Sequence, residues 1–238
     1  MATVGYHNRQ VFIGSKIRSL LISLTKEPSK YNEITPKIEY WIEYVLREDF
    51  STVNELVEWV SYVAWDINGG SFASVGQFFK EFRDSPHRSD QARTFVTRMC
   101  SHVLRWFAIA SVEDLKGSPG WGGGKIAYSG PNFIRAASFV GYLIEYGLLT
   151  HEFVQRHLTK SLTNHQDDGD DKYSPGAVRA QAIYQLFITA GNTLLQGLLE
   201  PDDVQDCFDK LDARGHRDMG FDAVKLKVQY IAHDDALS

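Results

Sequence analysis

Gly117 to Lys125 reads GSPGWGGGK, and glycines leading into a lysine are the material of loops that cradle phosphate. Such a loop needs a glycine, four residues, Gly-Lys, and then a hydroxyl residue to reach a magnesium ion. Here Pro119 stands where the first glycine belongs, and Ile126 follows Lys125 in place of Ser or Thr. A strand should also feed the loop so that its amides converge on phosphate at a helix N-terminus. The preceding residues, FVTRMCSHVLRWFAIA (95–110), instead repeat apolar side chains at helical spacing. No strand–turn–helix unit surrounds the glycines, so the dinucleotide fingerprint is missing as well. The run reads as a connector.

Other residue types capable of chemistry fare similarly. Eight histidines are scattered along the chain, and none has the His-Glu-x-x-His spacing that sets two ligands on one helix face. The acidic run DDGDD (167–171) lacks the glycine-to-glutamate order of a calcium loop, and no Gly-x-Ser-x-Gly elbow occurs. Cys100 and His102 stand two apart on a helical segment and therefore point to different faces, so Cys100 reads as a core thiol. No metal, cofactor, small-molecule substrate or catalytic residue is expected. The rival reading is a helical hydrolase built from His102, Asp90 and Glu113.

The whole chain narrows the classes further. Its 238 residues allow one large domain or two small ones, and 43% hydrophobic content is ordinary for a globular core. Two cysteines, Cys100 and Cys207, cannot make a disulfide framework, which fits a cytoplasmic or nuclear setting. MATVGYHNRQ shows no apolar signal core, and SFVGYLIEYGLL is too short for a membrane span and is broken by Glu145. The net charge is -5; residues 1–120 hold 14 basic and 14 acidic side chains, and residues 121–238 hold 11 and 16. The broad basic footprint of a nucleic-acid binder is missing.

The elements that must position these residues are helical almost throughout. Ile17, Leu20, Leu21 and Leu24 form a first stripe. Thr35-Pro36 reads as an N-cap with proline at the first helical position, ahead of Ile38, Trp41, Ile42, Val45 and Leu46. Ser51 or Thr52 caps a helix with Leu56, Val60, Val63 and Ile67 inward, ended by Gly69-Gly70. Val75, Phe78, Phe79 and Phe82 mark the next helix, stopped at Ser85-Pro86, and Val96, Met99, Cys100, Val103 and Phe107 stripe the one after. Beyond the glycine run come the stripes Phe133–Ala137–Val140–Ile144, Val154–Leu158–Leu162, Ile183–Leu186–Phe187–Ala190–Leu194 and Val204–Phe208–Leu211. A mobile acidic loop at 165–176 and a last helix at 224–232 complete an all-α chain of about ten helices in antiparallel pairs.

ITPKIEYWIEYVL (34–46) resembles the opening of the middle domain of eukaryotic translation initiation factor 4-gamma, where Leu-Thr-Pro begins the first repeat. Phe139-Val140-Gly141, Leu143-Ile144 and Leu148-Leu149-Thr150 are similar to the family's third repeat. AIYQLFITAGNTLL (182–195) is similar to its next helix, with a leucine-rich run reaching Thr-x-Gly, and VQDCFDKLD (204–212) to its last repeat. The resemblance spans residues 34–235, so residues 1–33 become an N-terminal helical extension. It implies a superhelical stack of about five antiparallel helix pairs (HEAT-like repeats), with 117–130 linking the second and third.

In that family the crescent binds a DEAD-box RNA helicase, and some members touch RNA. The chain departs from the family where Tyr142 replaces a glutamate, and where the Tyr–spacer–Leu pattern that captures the cap-binding protein is absent. The resemblance thus implies a non-enzymatic adaptor for a helicase or related protein, the alternative being a scaffold for an unrelated partner. Candidate partner contacts are Arg83, His87 and Arg88 on one turn, and Trp121 as an aromatic anchor between glycines. Weak RNA contact falls to Arg98, Arg105, Lys125 and Arg135; Arg98 and Arg105, seven apart, share a helix face that Arg93 lies off.

Overall fold

The computed structural model describes residues 2–48, 53–65, 70–109, 130–150, 182 and 185–190, and all regular structure among them is helical. The chain divides into two compact units: Met1–Val103 with Tyr146–Leu148, and Leu104–Glu145 with Leu149–Ser238.

The first unit is organised around α1 (Ala2–Lys26), which packs against α2 (Tyr31–Glu48), α3 (Val53–Ser61) and α4 (Ala73–Asp84). Ile13, Ile17, Leu21 and Leu24 succeed one another at three- and four-residue steps and are all buried, so one side of α1 is continuous with the core. Residues 1–33, expected to stand ahead of the repeat domain, therefore share a unit with residues 34–103. Gly14 makes the α1–α3 approach close, because a β-carbon there would lie 2.8 Å from Cβ and Cγ of Trp59.

Two expected helix boundaries are corrected. Thr35-Pro36 does not open α2. A 3-10 turn, Pro28–Lys30, runs directly into a helix that starts at Tyr31 and carries Pro36 inside it. Ile34 and Thr35 are already buried, and the Thr35 hydroxyl donates back to the Tyr31 carbonyl at 2.9 Å instead of capping forward. Pro36 sits on the exposed side, where water can reach the Asn32 carbonyl that its missing N–H leaves without a helical donor. Gly69-Gly70 does not end α3 either, since the helix stops at Ser61 and tightens into a 3-10 turn, Tyr62–Trp65. Gly70 serves packing: its N–H donates to Thr25 Oγ1 at 2.9 Å, and a β-carbon would come within 2.0 Å of the Thr25 carbonyl oxygen.

α4 and α5 (Asp90–Ile109) match their expected stripes. Val75, Phe78, Phe79 and Phe82 are buried, with Phe78 5.1 Å from Phe79 and 5.7 Å from Phe82 between ring centroids. Phe95, Val96, Met99, Cys100, Val103, Leu104 and Phe107 line the buried side of α5.

In the second unit, α6 (Gly130–Glu145) buries Phe133, Ala136, Ala137, Phe139, Val140, Leu143 and Ile144. Phe133 stacks on Phe107 at 4.8 Å and 13°. Helical residues 185–190 bury Leu186, Phe187, Thr189 and Ala190. Here α6 comes unusually close: a β-carbon on Gly141 would lie 1.8 Å from Thr189 Oγ1 and 3.0 Å from the Leu186 carbonyl oxygen. The helices expected at 150–162, 201–212 and 224–232, the acidic loop 165–176 and the glycine run 117–125 lie outside the described residues.

Candidate partner-binding surface

The last turn of α4 and the turn that follows it carry three of the expected partner contacts, Arg83 on the helix and His87 and Arg88 beyond it. α4 ends where the Ser85 amide donates to the Glu81 carbonyl at 3.0 Å. Ser85 is extended (φ -61°, ψ 126°), as steric conflict with the ring of Pro86 requires. The chain then folds back, with the Arg88 amide donating to the Ser85 carbonyl at 3.2 Å.

That fold brings the Arg88 guanidinium over the Phe82 ring, 4.7 Å from its centroid, and between two carboxylates of α2. It pairs with Glu39 and, at 2.8 Å, with Glu43 Oε1, which Arg47 also holds at 2.9 Å through the other oxygen. The Arg88 side chain is only 19% exposed. Burial works against its charge, yet the hydrogen bonds it donates to Glu43 and Glu39 prevail and raise its pKa. For Glu43, burial likewise opposes ionisation, but the Arg88 and Arg47 hydrogen bonds pull the carboxyl below its ordinary value. Arg88 is thus an internal strut that ties the turn to α2.

Arg83 is engaged nearby. Its Nε donates to Asp84 Oδ1 at 2.7 Å and its Nη1 to the Gly147 carbonyl at 2.9 Å. The hydrogen bond from Arg83, joined by one from Lys80, holds the Asp84 carboxyl down to about 2. Close by, the Tyr31 hydroxyl donates to Glu81 Oε2 at 2.6 Å, and its pKa is raised by burial first and by Glu81 second. Of these three residues, His87 alone is exposed, Arg83 and Arg88 being half-buried. Trp121 lies outside the described residues.

The outward-facing aromatic group of the first unit is on α2. Tyr40 is 61% exposed and touches Trp41 edge-on at 5.3 Å and Tyr44 face to face at 6.3 Å; Trp41 meets Tyr44 at 6.0 Å. Trp41, expected in the core stripe of α2, is instead half-exposed, because Ile34, Ile38, Ile42, Val45 and Leu46 already fill the inner face. The Tyr-Trp-x-x-Tyr spacing, placing rings at i, i+1 and i+4, is the sequence signal for this group.

The expected RNA contacts do not form a single cluster in either unit. Arg98 is exposed in the first unit, its Nη1 donating to Asn54 Oδ1 at 3.2 Å, and Arg93 reaches Asp90 at 3.5 Å. Arg105 is exposed and Arg135 half-buried in the second unit, and Lys125 lies outside the described residues.

Two residues of the rival catalytic reading, Asp90 and His102, stand apart. Asp90, whose side chain is 98% exposed, stands roughly 18 Å along α5 from His102 at the helical rise of 1.5 Å per residue, and Glu113 is outside the described residues. Cys100 is fully buried, and burial pushes its thiol up to about 12, which is inert-thiol behaviour. Among the described residues no three His, Cys, Asp or Glu side chains group as metal ligands, and no helix is long and apolar enough to cross a membrane.

Comparison with protein-family models, curated proteins and solved structures finds no match to this chain. The likeness to the initiation-factor middle domain therefore rests on the residues that carry it.

Proposed function

We propose that this chain is a non-enzymatic adaptor that binds a partner protein through the outer faces of stacked helix pairs, and that the partner is a DEAD-box RNA helicase or a related factor of translation or RNA metabolism. The observation that carries the binding role is the Tyr40–Trp41–Tyr44 group, three rings massed on the outer side of a helix whose inner side is already full. Large rigid aromatics of this kind supply binding energy at small cost in side-chain entropy. The ionisable groups around Arg88, Arg83 and Tyr31 are spent holding helices to one another, which suits a scaffold. The helicase class comes from the family resemblance, and the cytoplasm is where such a factor would act. Supporting the repeat reading, the Phe-Val-Gly of α6 and the helical residues 185–190, both part of that resemblance, pack directly through Gly141 and Thr189.

The test is capture from a eukaryotic lysate on the immobilised full chain, identified by mass spectrometry, beside a Tyr40→Ala, Tyr44→Ala variant. The expected result is a helicase or RNA-associated factor that the variant recovers poorly while melting at the same temperature. Recovery of proteins unconnected with RNA would move the reading to a scaffold for another partner.

A further inference from the structure

Four of the chain's seven prolines come directly after Ser or Thr, at Thr35, Ser85, Ser118 and Ser174. Among these only Ser85 has a basic residue three places on, in Ser85-Pro86-His87-Arg88. Proline-directed protein kinases read this pattern. The proline selects an extended acceptor, and the cation at the third position meets an acidic site on the kinase. The fold supports Ser85 on two further counts. Thr35 is buried within α2, whereas Ser85 lies on the turn after α4, extended, with Pro86, His87 and Ser89 exposed around it. In addition, the cation at the third position is the strut Arg88, whose guanidinium is held by Glu39 and Glu43.

From this juxtaposition we infer that Ser85 is a phosphorylation site for a proline-directed kinase, and that phosphate there competes with Glu39 and Glu43 for Arg88, loosening the turn from α2. In the transfer, Ser85 Oγ forms a bond to the γ-phosphorus of ATP as the bond to the bridging β–γ oxygen breaks. ADP leaves, and the hydroxyl proton passes to the kinase's base. The product is a near-dianion with Arg88, Arg83 and His87 within three residues of it. Arg83 is already committed to Asp84 and the Gly147 carbonyl, and Asp84 itself repels phosphate. Arg88, whose own amide is bonded to Ser85, is the cation best placed to turn towards it. The same geometry restrains the reaction, because the kinase must draw Arg88 off its carboxylates before it can read it.

The experiment incubates the folded full chain with ATP and a purified proline-directed kinase that prefers a basic residue at the third position. Sites are mapped by mass spectrometry beside Ser85→Ala, Glu43→Gln and a synthetic peptide of residues 80–92. Circular dichroism confirms that each protein is folded at the assay temperature. Phosphate is expected on Ser85 of the native chain, absent in Ser85→Ala, with an initial rate about threefold higher in Glu43→Gln because one of the two carboxylates that hold Arg88 is gone. The phosphorylated chain is also expected to melt at a lower temperature, while a Glu39→Gln, Glu43→Gln chain, which keeps Arg88 for the kinase but has no carboxylates there to lose, shows a smaller further drop on phosphorylation. Modification of the peptide but not of the native chain would remove the site. Modification with an unchanged melting temperature, or with no effect of Glu43→Gln, would remove the competition for Arg88.

Discussion

Arg88 joins three kinds of contact in one side chain: two ion pairs to α2, a cation over the Phe82 ring, and a turn that its own amide helps to close. A planar guanidinium can satisfy both carboxylates and lie flat on a ring, which a lysine ammonium cannot. Arg88→Ala should therefore cost about 2 kcal/mol in urea unfolding, since the pairs are half-buried and the ring contact is lost with them. Arg88→Lys should recover only about half of that; full recovery would show that charge alone matters there. Stability should also depend on acid pH, with a definite sign. The Glu43 and Asp84 carboxyls are both depressed in the folded state, from ordinary values of 4.5 and 3.8, Asp84 to about 2. Depressed carboxylates contribute stability above their unfolded pKa and lose it as pH falls through the folded one, so the melting temperature should decline from about pH 5 towards pH 2. The Asp84 share is small because its side chain is 42% exposed and screened by solvent. In Arg88→Ala the decline should be shallower, because Glu43 loses the hydrogen bond that leads its depression. An equally steep decline would place the acid sensitivity elsewhere.

At the scale of elements, a close helix approach among the described residues of the second unit is set by one glycine. Gly141 lets α6 meet the helix of residues 185–190 where any β-carbon would press on the Thr189 hydroxyl at 1.8 Å, on its Cβ at 2.8 Å and on a backbone carbonyl at 3.0 Å. The hydroxyl could rotate away, but the other two atoms could not, so Gly141→Ala should destabilise by about 2–3 kcal/mol. Adding Thr189→Ala should recover part of this by removing the hydroxyl, and thermal melts of the three variants would measure it. A Gly141→Ala chain of unchanged stability would mean the helices separate easily there. Sequence patterning anticipates α4, α5 and α6 because burial along one side of a helix imposes three- and four-residue spacing whatever the partner is. Contacts set by distant residues are not legible in it. Nothing local in Arg88 reveals Glu43, 45 positions earlier, and Gly70 reads as a helix stop until Thr25 is placed against it. Thr35-Pro36 misleads because a helix that has already begun can carry a proline on its wet side. Trp41 misleads because three aromatic rings can shelter one another outside the core.

For the molecule as a whole, charge bears on whether RNA or protein is the principal ligand. The net charge of -5 falls entirely on residues 121–238, which hold 11 basic and 16 acidic side chains, so long-range attraction to phosphate must come from local patches. The exposed candidates among the described residues are Arg98 in the first unit and Arg105 in the second. Arg98 is bonded to Asn54, and Arg93 is drawn towards Asp90, which spreads the patch instead of concentrating it. The Tyr40–Trp41–Tyr44 group, whose rings could stack bases, is on α2, a different helix from the one that bears these arginines. Two exposed arginines release few counterions, so single-stranded RNA should bind more weakly than about a micromolar at near-physiological salt, with a shallow salt dependence. Arg98→Glu with Arg105→Glu should abolish what binding there is, yet leave capture of the protein partner intact, because that contact is assigned to Tyr40 and its neighbours. Titration of labelled RNA and lysate capture, run on the same double variant, separate the two surfaces. Submicromolar RNA binding lost together with the partner would make RNA the bridge between them, and the aromatic face of α2 would then need another occupant.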